Sequence, residues 1–219
     1  MVKSTLGYWN IRGLVEPIRY LLHHVKEDFE DRRYLFTDHT WKNEKYALGL
    51  DFPNMPYYIS GNIRITQSTA ILRYLGRKYG LDGKTDEQKL RMSLAEQEIV
   101  DLRLDFIELA YFKDFKSEKN RFIETIPDKL KPWEKFIGDH KYLIGDDITY
   151  VDFIAYETLD FYRLLYPDAL LGFTNLRAYH NRMKNLPSLQ DYMETSFKPW
   201  PICGVASNFG GNVIPPKHI

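Results

Sequence analysis

The pattern of this chain changes at residues 82–87, and that change restricts the fold more than any other feature. Ahead of it, short strands alternate with helices. Lys3 to Tyr8 reads as a strand. From Leu14 onward, Leu14, Ile18, Leu21, Leu22 and Val25 fall at helical spacing, with Pro17 in the first turn, where a missing N–H does no harm. A second strand is predicted over about Asp28 to Leu35 and a short helix over about Lys42 to Leu48. Tyr57-Tyr58-Ile59, the turn Ser60-Gly61-Asn62, and Ile63 to Thr66 read as an antiparallel hairpin. Gln67-Ser68 opens a helix with Ala70, Ile71, Tyr74 and Leu75 inward and Arg73, Arg77 and Lys78 outward, and Gly80 ends it. The order is βαβαββα.

Past the polar stretch Asp82-Gly83-Lys84-Thr85-Asp86-Glu87, periodic helical segments follow with no convincing strand pattern. They cover about Gln88 to Phe112, Ser117 to Phe136, Tyr150 to Leu164 and Leu176 to Met183, with a short one after Pro187. Thr149-x-x-Asp152 ahead of Phe153 and Ile154 is a capping box that starts a buried helix. From Pro199 the tail is rich in Pro and Gly and is expected to lie as an irregular strap. The expected architecture is α/β plus all-α: a thioredoxin-like domain over residues 1–82, then an all-helical domain over 88–219. In thioredoxin-like folds a proline in the place of Pro56 is cis, and the residue before it offers its backbone to a peptide ligand as an added strand. A cis Met55–Pro56 bond is therefore expected.

Lys plus Arg and Asp plus Glu number 30 each, so no net charge draws the chain to nucleic acid or to an anionic membrane. No apolar run approaches a membrane span, and no signal-peptide pattern opens the chain. Cys203 is the single cysteine, which excludes an intramolecular disulfide; the expected compartment is cytoplasmic. The six histidines show no metal-ligand spacing, and His23-His24 reads as a surface pair on a helix, so no metal site is expected. There is no phosphate loop, G-x-G-x-x-G or nucleophile elbow. No cysteine lies near the first strand–helix corner, which excludes disulfide exchange.

That corner, Leu6-Gly7-Tyr8-Trp9-Asn10-Ile11-Arg12-Gly13, is where chemistry is expected. A phenol on a strand–loop–helix corner can donate a hydrogen bond to an anion, and the helix N-terminus adds a positive field. The chain has 16 tyrosines, so Tyr8 alone proves nothing; a packing role is the alternative. Gln67-Ser68 places an amide, a hydroxyl and free helix N–H groups where a carboxylate would sit, or else forms an ordinary N-cap. Trp41 and Lys45 are four apart and share a helix face, to grip a second carboxylate or simply to be solvated.

Tyr8-Trp9-Asn10-Ile11-Arg12-Gly13 resembles the start of mu-class glutathione transferases. The stretches 40–46, 49–57 and 66–71 look like mu-class signatures in the right order. The tail, with Trp200-Pro201, Phe209-Gly210-Gly211 and Pro215-Pro216-Lys217, is similar to flatworm members of that class, which also share the short loop before Trp41. The resemblance implies a homodimeric cytosolic enzyme. It would conjugate the thiolate of glutathione, a co-substrate, to small hydrophobic electrophiles in detoxification, with no cofactor. A non-catalytic carrier of hydrophobic ligands on the same fold is the alternative. Carried over, Tyr8 stabilises the thiolate. Trp9, Leu14, Trp41 and Lys45 line the glycyl end of glutathione, Asn54 and Met55 its middle, and Gln67 and Ser68 its γ-glutamyl end. Asp101 reaches the γ-glutamyl amine from the partner subunit. Leu104 and Tyr111 face the electrophile together with the strap at Cys203 and Gly204, and Phe52 locks the dimer. Asp38 stands where many mu-class proteins carry an Arg at the end of a longer loop, so fewer carboxylate contacts and a more open electrophile site are expected.

Overall fold

The computed structural model describes residues 3–211 and Pro215. The tail motif at Pro216-Lys217 lies outside them. Strand β1 (Ser4–Trp9) is central in a four-stranded sheet of order β2-β1-β3-β4. It runs parallel to β2 (Phe29–Tyr34), with Ser4 opposite Phe29 and Trp9 opposite Tyr34. On its other side it is antiparallel to β3 (Tyr57–Ser60), which forms the expected hairpin with β4 (Ile63–Thr66). Helix α1 (Glu16–His24) makes the crossover that a parallel pair requires. This is the thioredoxin-like arrangement the sequence predicts, and the Met55–Pro56 bond is cis. A second cis bond, Trp200–Pro201, was not expected.

Helix α2 (Thr40–Glu44) starts earlier and is shorter than the predicted 42–48. The Asp38 carboxylate accepts the Thr40 N–H at 3.0 Å and begins the helix there, and past Glu44 the chain loosens into turns. Helix α3 (Ser68–Tyr79) buries Ile71, Leu72, Leu75 and Gly76. Ala70 is exposed, against expectation, because the inward stripe is set by Leu72 and Gly76 meeting a neighbouring helix. Gly80 closes α3 in the left-handed conformation, as expected.

Among the described residues five helices follow. They are α4 (Asp86–Tyr111), α5 (Phe115–Ile137), α6 (Tyr150–Leu165), α7 (Thr174–Lys184) and α8 (Gln190–Thr195), the last entered through a 3-10 turn at Pro187–Leu189. Helix α6 is the core of this part, with almost every residue buried against α1, α3, α4 or α7. The Asp152 carboxylate reaches back to the Thr149 N–H at 2.8 Å and also accepts the Leu143 N–H at 3.0 Å, so the expected capping residue fixes the preceding loop as well.

His23 and His24 are not a surface pair. His23 stacks on Tyr192 at 4.1 Å, and His24 Nδ1 meets the Ser188 hydroxyl at 2.7 Å. Both are half-buried in the seam between α1 and the chain's last helical turns, and burial lowers both pKa values. The tail crosses the first corner as a strap: the N–H groups of Arg12 and Gly13 donate to Pro201 and Ile202 carbonyls at 3.0 and 3.1 Å.

Candidate active site

The first corner is held from three sides. Arg12 is buried and forks onto Glu157, with Nε donating to Oε1 at 3.0 Å and Nη2 to Oε2 at 2.6 Å; Nη2 also meets Asp160 at 2.7 Å. A planar guanidinium suits this two-pronged pairing. Its faces meet the Phe161 and Phe197 rings. The strap holds the corner's N–H groups from a second side, and Arg103 of α4 donates to the Gly13 carbonyl from the third.

With the corner fixed, the Leu14 N–H points at the Tyr8 hydroxyl oxygen, 3.4 Å away. Gly13 makes this approach possible. Its φ is +44°, and a Cβ there would stand 2.7 Å from a Tyr8 ring carbon. Tyr8 is 8 % exposed. Burial pushes its pKa above the ordinary value, while the Leu14 N–H and the charges of Arg103 and Arg19 pull the other way without cancelling the rise. The phenol is therefore protonated at neutral pH and is a donor, not a base.

Gly7, one residue earlier, has a different task. A Cβ there would lie 2.1 Å from Tyr57 Cζ, so the Tyr57 ring lies across β1 where only glycine leaves room. Trp41 stacks on that ring at 6.1 Å and 15°, and the Tyr57 and Tyr34 hydroxyls meet at 2.7 Å. This aromatic layer positions α2. Lys45, just past its end, donates its backbone N–H to the Trp41 carbonyl and stays on the same side.

Gln67 precedes α3 with φ +72°, a left-handed conformation rare for a residue with a side chain. It makes no side-chain cap, so the ordinary N-cap reading does not describe it. Such strain is found where surrounding structure holds a residue for function. Ser68, at the start of α3, shares one cleft with Leu14 of the corner and with Arg103, Leu104 and Ile107 of α4. Leu14 and Leu104 are 37 % and 54 % exposed there. Met55 is buried, and its N–H is taken by the Asn54 side chain at 2.9 Å. Asp101 is exposed on α4, one turn before Leu104.

The Tyr111 hydroxyl accepts the Gly204 N–H at 2.5 Å, and burial pushes its pKa up to about 12. Cys203 is buried beside it, its thiol pushed up to about 11 by burial, so it stays a neutral thiol. Trp9 stacks on Phe36 at 4.4 Å. Phe52 stands away from this cleft and is 76 % exposed. The structure thus gathers Leu14, Ser68 and Leu104 around the meeting of the corner with α3 and α4, sets Tyr8 beside Leu14 and Tyr111 against the strap, and leaves Phe52 and Asp101 exposed.

Three residues of the site were not anticipated. Gly7 was legible, because a glycine inside a strand signals close approach. Arg103 stood out only as a charge between Leu102 and Leu104, and Phe36 as an aromatic in a polar loop. Among the described residues no cluster of His, Cys, Asp and Glu has the geometry of a metal site.

Comparison with known proteins finds matches over both parts of the chain. Residues 4–77 match the family model for the glutathione S-transferase N-terminal domain, and 100–196 match one for the C-terminal domain. The chain is 46 % identical over 197 residues to glutathione S-transferase Mu 1 of Mus musculus, covering 87 % of this chain and 90 % of that one. It is 40 % identical over 215 residues to a class-mu 26 kDa isozyme of Fasciola hepatica, covering 97 % and 99 %. The identity to the flatworm isozyme is lower than that to the mouse protein, so overall identity does not favour the expected flatworm likeness. The solved Pi-class glutathione S-transferase of Onchocerca volvulus superposes with a TM-score of 0.85 at 31 % identity, covering 94 % of this chain and 100 % of that one.

Proposed function

The chain belongs to the glutathione S-transferases, with relatives in the mu class, and on that premise we propose that it conjugates the glutathione thiolate to small hydrophobic electrophiles. The observation that carries this reading is the Tyr8 hydroxyl. It is buried, protonated and fixed at the corner beside the N–H of Leu14, a residue that lines one cleft together with Ser68 at the start of α3. A free thiol has a pKa of about 8.5, so little is ionised at pH 7. A hydrogen bond to the charged form is worth about 1.5–3 kcal/mol, or roughly one to two pKa units. In this reading Tyr8 supplies that bond.

The remaining assignments follow the same proposal. Residues 1–82 form the glutathione-binding domain. Gln67 and Ser68 take the γ-glutamyl carboxylate on the free N–H groups of α3. Trp9, Leu14, Trp41 and Lys45 take the glycyl end, and Asn54 with Met55 takes the middle. Residues 88–219 supply Leu104 and Tyr111, with the strap at Cys203 and Gly204, as the electrophile site. The enzyme is a cytoplasmic homodimer in which Asp101 reaches the partner's glutathione and Phe52 enters the partner's α4–α5 groove. Proximity and an apolar wall do the rest of the catalysis. Glutathione-dependent turnover of a chlorinated dinitrobenzene tests the reading. A carrier on the same fold binds glutathione conjugates without turning the substrate over.

A further inference from the structure

The loop between β2 and α2 is short, which led to the expectation of an open electrophile site. The structure shows this loop reaching the other half of the molecule. Phe36 lies flat on Trp9, with ring centroids 4.4 Å apart and 21° between planes. The far edge of its ring meets the strap: a Cβ built on Gly204 would be 3.4 Å from Phe36 Cζ and 3.3 Å from the Tyr111 hydroxyl. Gly204 is itself fixed. Its N–H donates to Tyr111 and its carbonyl accepts from both the Ser207 N–H and the Ser207 hydroxyl. The ring of Phe36 on one side and the hydroxyl of Tyr111 on the other therefore enclose a backbone position that cannot yield.

We propose that Phe36 is the specificity-determining wall of the electrophile site, closing the gap between the β2–α2 loop and the strap at Gly204 and so limiting the width of the electrophile the enzyme accepts. The assignment rests on the reading of the site as a glutathione transferase's. A rigid aromatic edge against a fixed backbone excludes a wide group and does not resist a flat one. Discrimination by shape in an apolar pocket typically reaches about ten-fold or more per misfitting group. Phe36 does not touch reacting atoms in this account, so removing it changes which electrophiles fit, not how the thiolate is formed.

The test is equilibrium binding of three conjugates, S-methylglutathione, S-(4-nitrobenzyl)glutathione and S-(diphenylmethyl)glutathione, by calorimetry. In the wild type, affinity should drop from the flat nitrobenzyl to the wide diphenylmethyl conjugate. Phe36→Ala should shrink that drop by about ten-fold while leaving S-methylglutathione within about two-fold. Phe36→Leu, which keeps most of the bulk, should restore most of the drop, and Gly204→Ala should widen it. If Phe36→Ala weakens all three conjugates by one common factor, the residue merely props Trp9 and the assignment is wrong. It is equally wrong if the drop stays unchanged. A wild type that binds no conjugate overturns both this inference and the glutathione reading. One that binds them with the expected size dependence, yet turns over no electrophile, overturns only the transferase reading.

Discussion

Tyr8 lies almost wholly inside the fold, yet the Leu14 N–H is turned to its oxygen and Arg103 is close enough for its charge to be felt there. Tyr8→Phe removes the donor and leaves the packing. The thiol pKa of bound glutathione should rise by roughly one to two units, and turnover at neutral pH should fall strongly while glutathione affinity stays within a few-fold. Unchanged thiolate absorbance in the variant's glutathione complex would remove Tyr8 from the mechanism. A second residue makes the corner's hold measurable by pH. Burial alone would push the Asp160 carboxyl up, but Arg12, His180 and Arg163 outweigh it and hold it well below the usual carboxylate range. A lowered folded pKa means that the stabilisation is complete above the unfolded pKa near 4 and is lost as pH falls below it. The stability gap between wild type and Asp160→Asn should therefore be fully present at pH 5, where the Asp160 carboxylate is charged in both states. It should shrink by about 1.4 kcal/mol per unit below about pH 4. Urea denaturation at successive pH values reads this directly, and a gap independent of pH would mean that Asp160 carries no such charge interaction. Tyr8 was legible because strand, turn glycine and helix start surround it in sequence. Arg103 and Glu157 were not, since only the folded chain brings residues 90 and more positions away onto the corner.

Helices α3 and α6 meet where α3 has no side chain. A Cβ on Gly76 would stand 2.6 Å from Tyr150 Cδ1, and the Tyr150 hydroxyl donates to the buried Glu96 carboxylate at 2.6 Å. Alanine favours a helix over glycine by about 1 kcal/mol, so an isolated α3 would gain from Gly76→Ala. In the folded chain the Tyr150 ring cannot retreat without loosening its bond to Glu96, and overpacking typically costs about 1–3 kcal/mol. Gly76→Ala is expected to lower stability by about 1–2 kcal/mol net, read as the urea midpoint; a stabilised variant would show that the helices part without cost. The same junction explains what the sequence disclosed about the elements. Existence and order were readable, because strand and helix periods differ and Gly80, Thr149 and Asp152 mark ends in local chemistry. The inward face of α3 was misplaced by Ala70, because that face is decided by Tyr150 of a helix some seventy residues on. The early start of α2 goes with a single hydrogen bond from the Thr40 N–H to the Asp38 side chain, and the half-burial of His23 and His24 depends on the returning tail. None of these is periodic, so period alone did not reveal them.

At the scale of the whole molecule, one chain carries an exposed aromatic side chain and an apolar groove that this side chain does not line. Phe52 projects from the loop after α2 and is 76 % exposed. Between α4 and α5 runs a groove lined by Leu94, Ala95, Glu98, Pro132, Trp133 and Phe136. Leu90 and Leu94 are themselves 74 % and 54 % exposed on that side, more apolar surface than a lone helix face needs to show. In the proposed homodimer a two-fold axis satisfies both features at once, since an isologous interface sets each Phe52 in the other subunit's groove. The symmetry also doubles the consequence of a single substitution. Truncating a buried Phe to Ala typically costs about 3–5 kcal/mol, and Phe52→Ala deletes two such contacts per dimer. At 1.4 kcal/mol per factor of ten, even half of one contact weakens the dimer by about ten-fold. Asp101 is proposed to act across the same interface, so glutathione affinity should fall with the dimer although Phe52 stands outside the cleft. Sedimentation velocity across a dilution series, paired with glutathione titration at each concentration, separates the two effects. Dissociation of Phe52→Ala at concentrations where the wild type stays dimeric, with weaker glutathione binding in the monomer, is the expected result. A variant that remains dimeric to the lowest concentration would show that Phe52 is an ordinary exposed loop residue. A monomer that binds glutathione at full strength would leave Asp101 without a role across the interface.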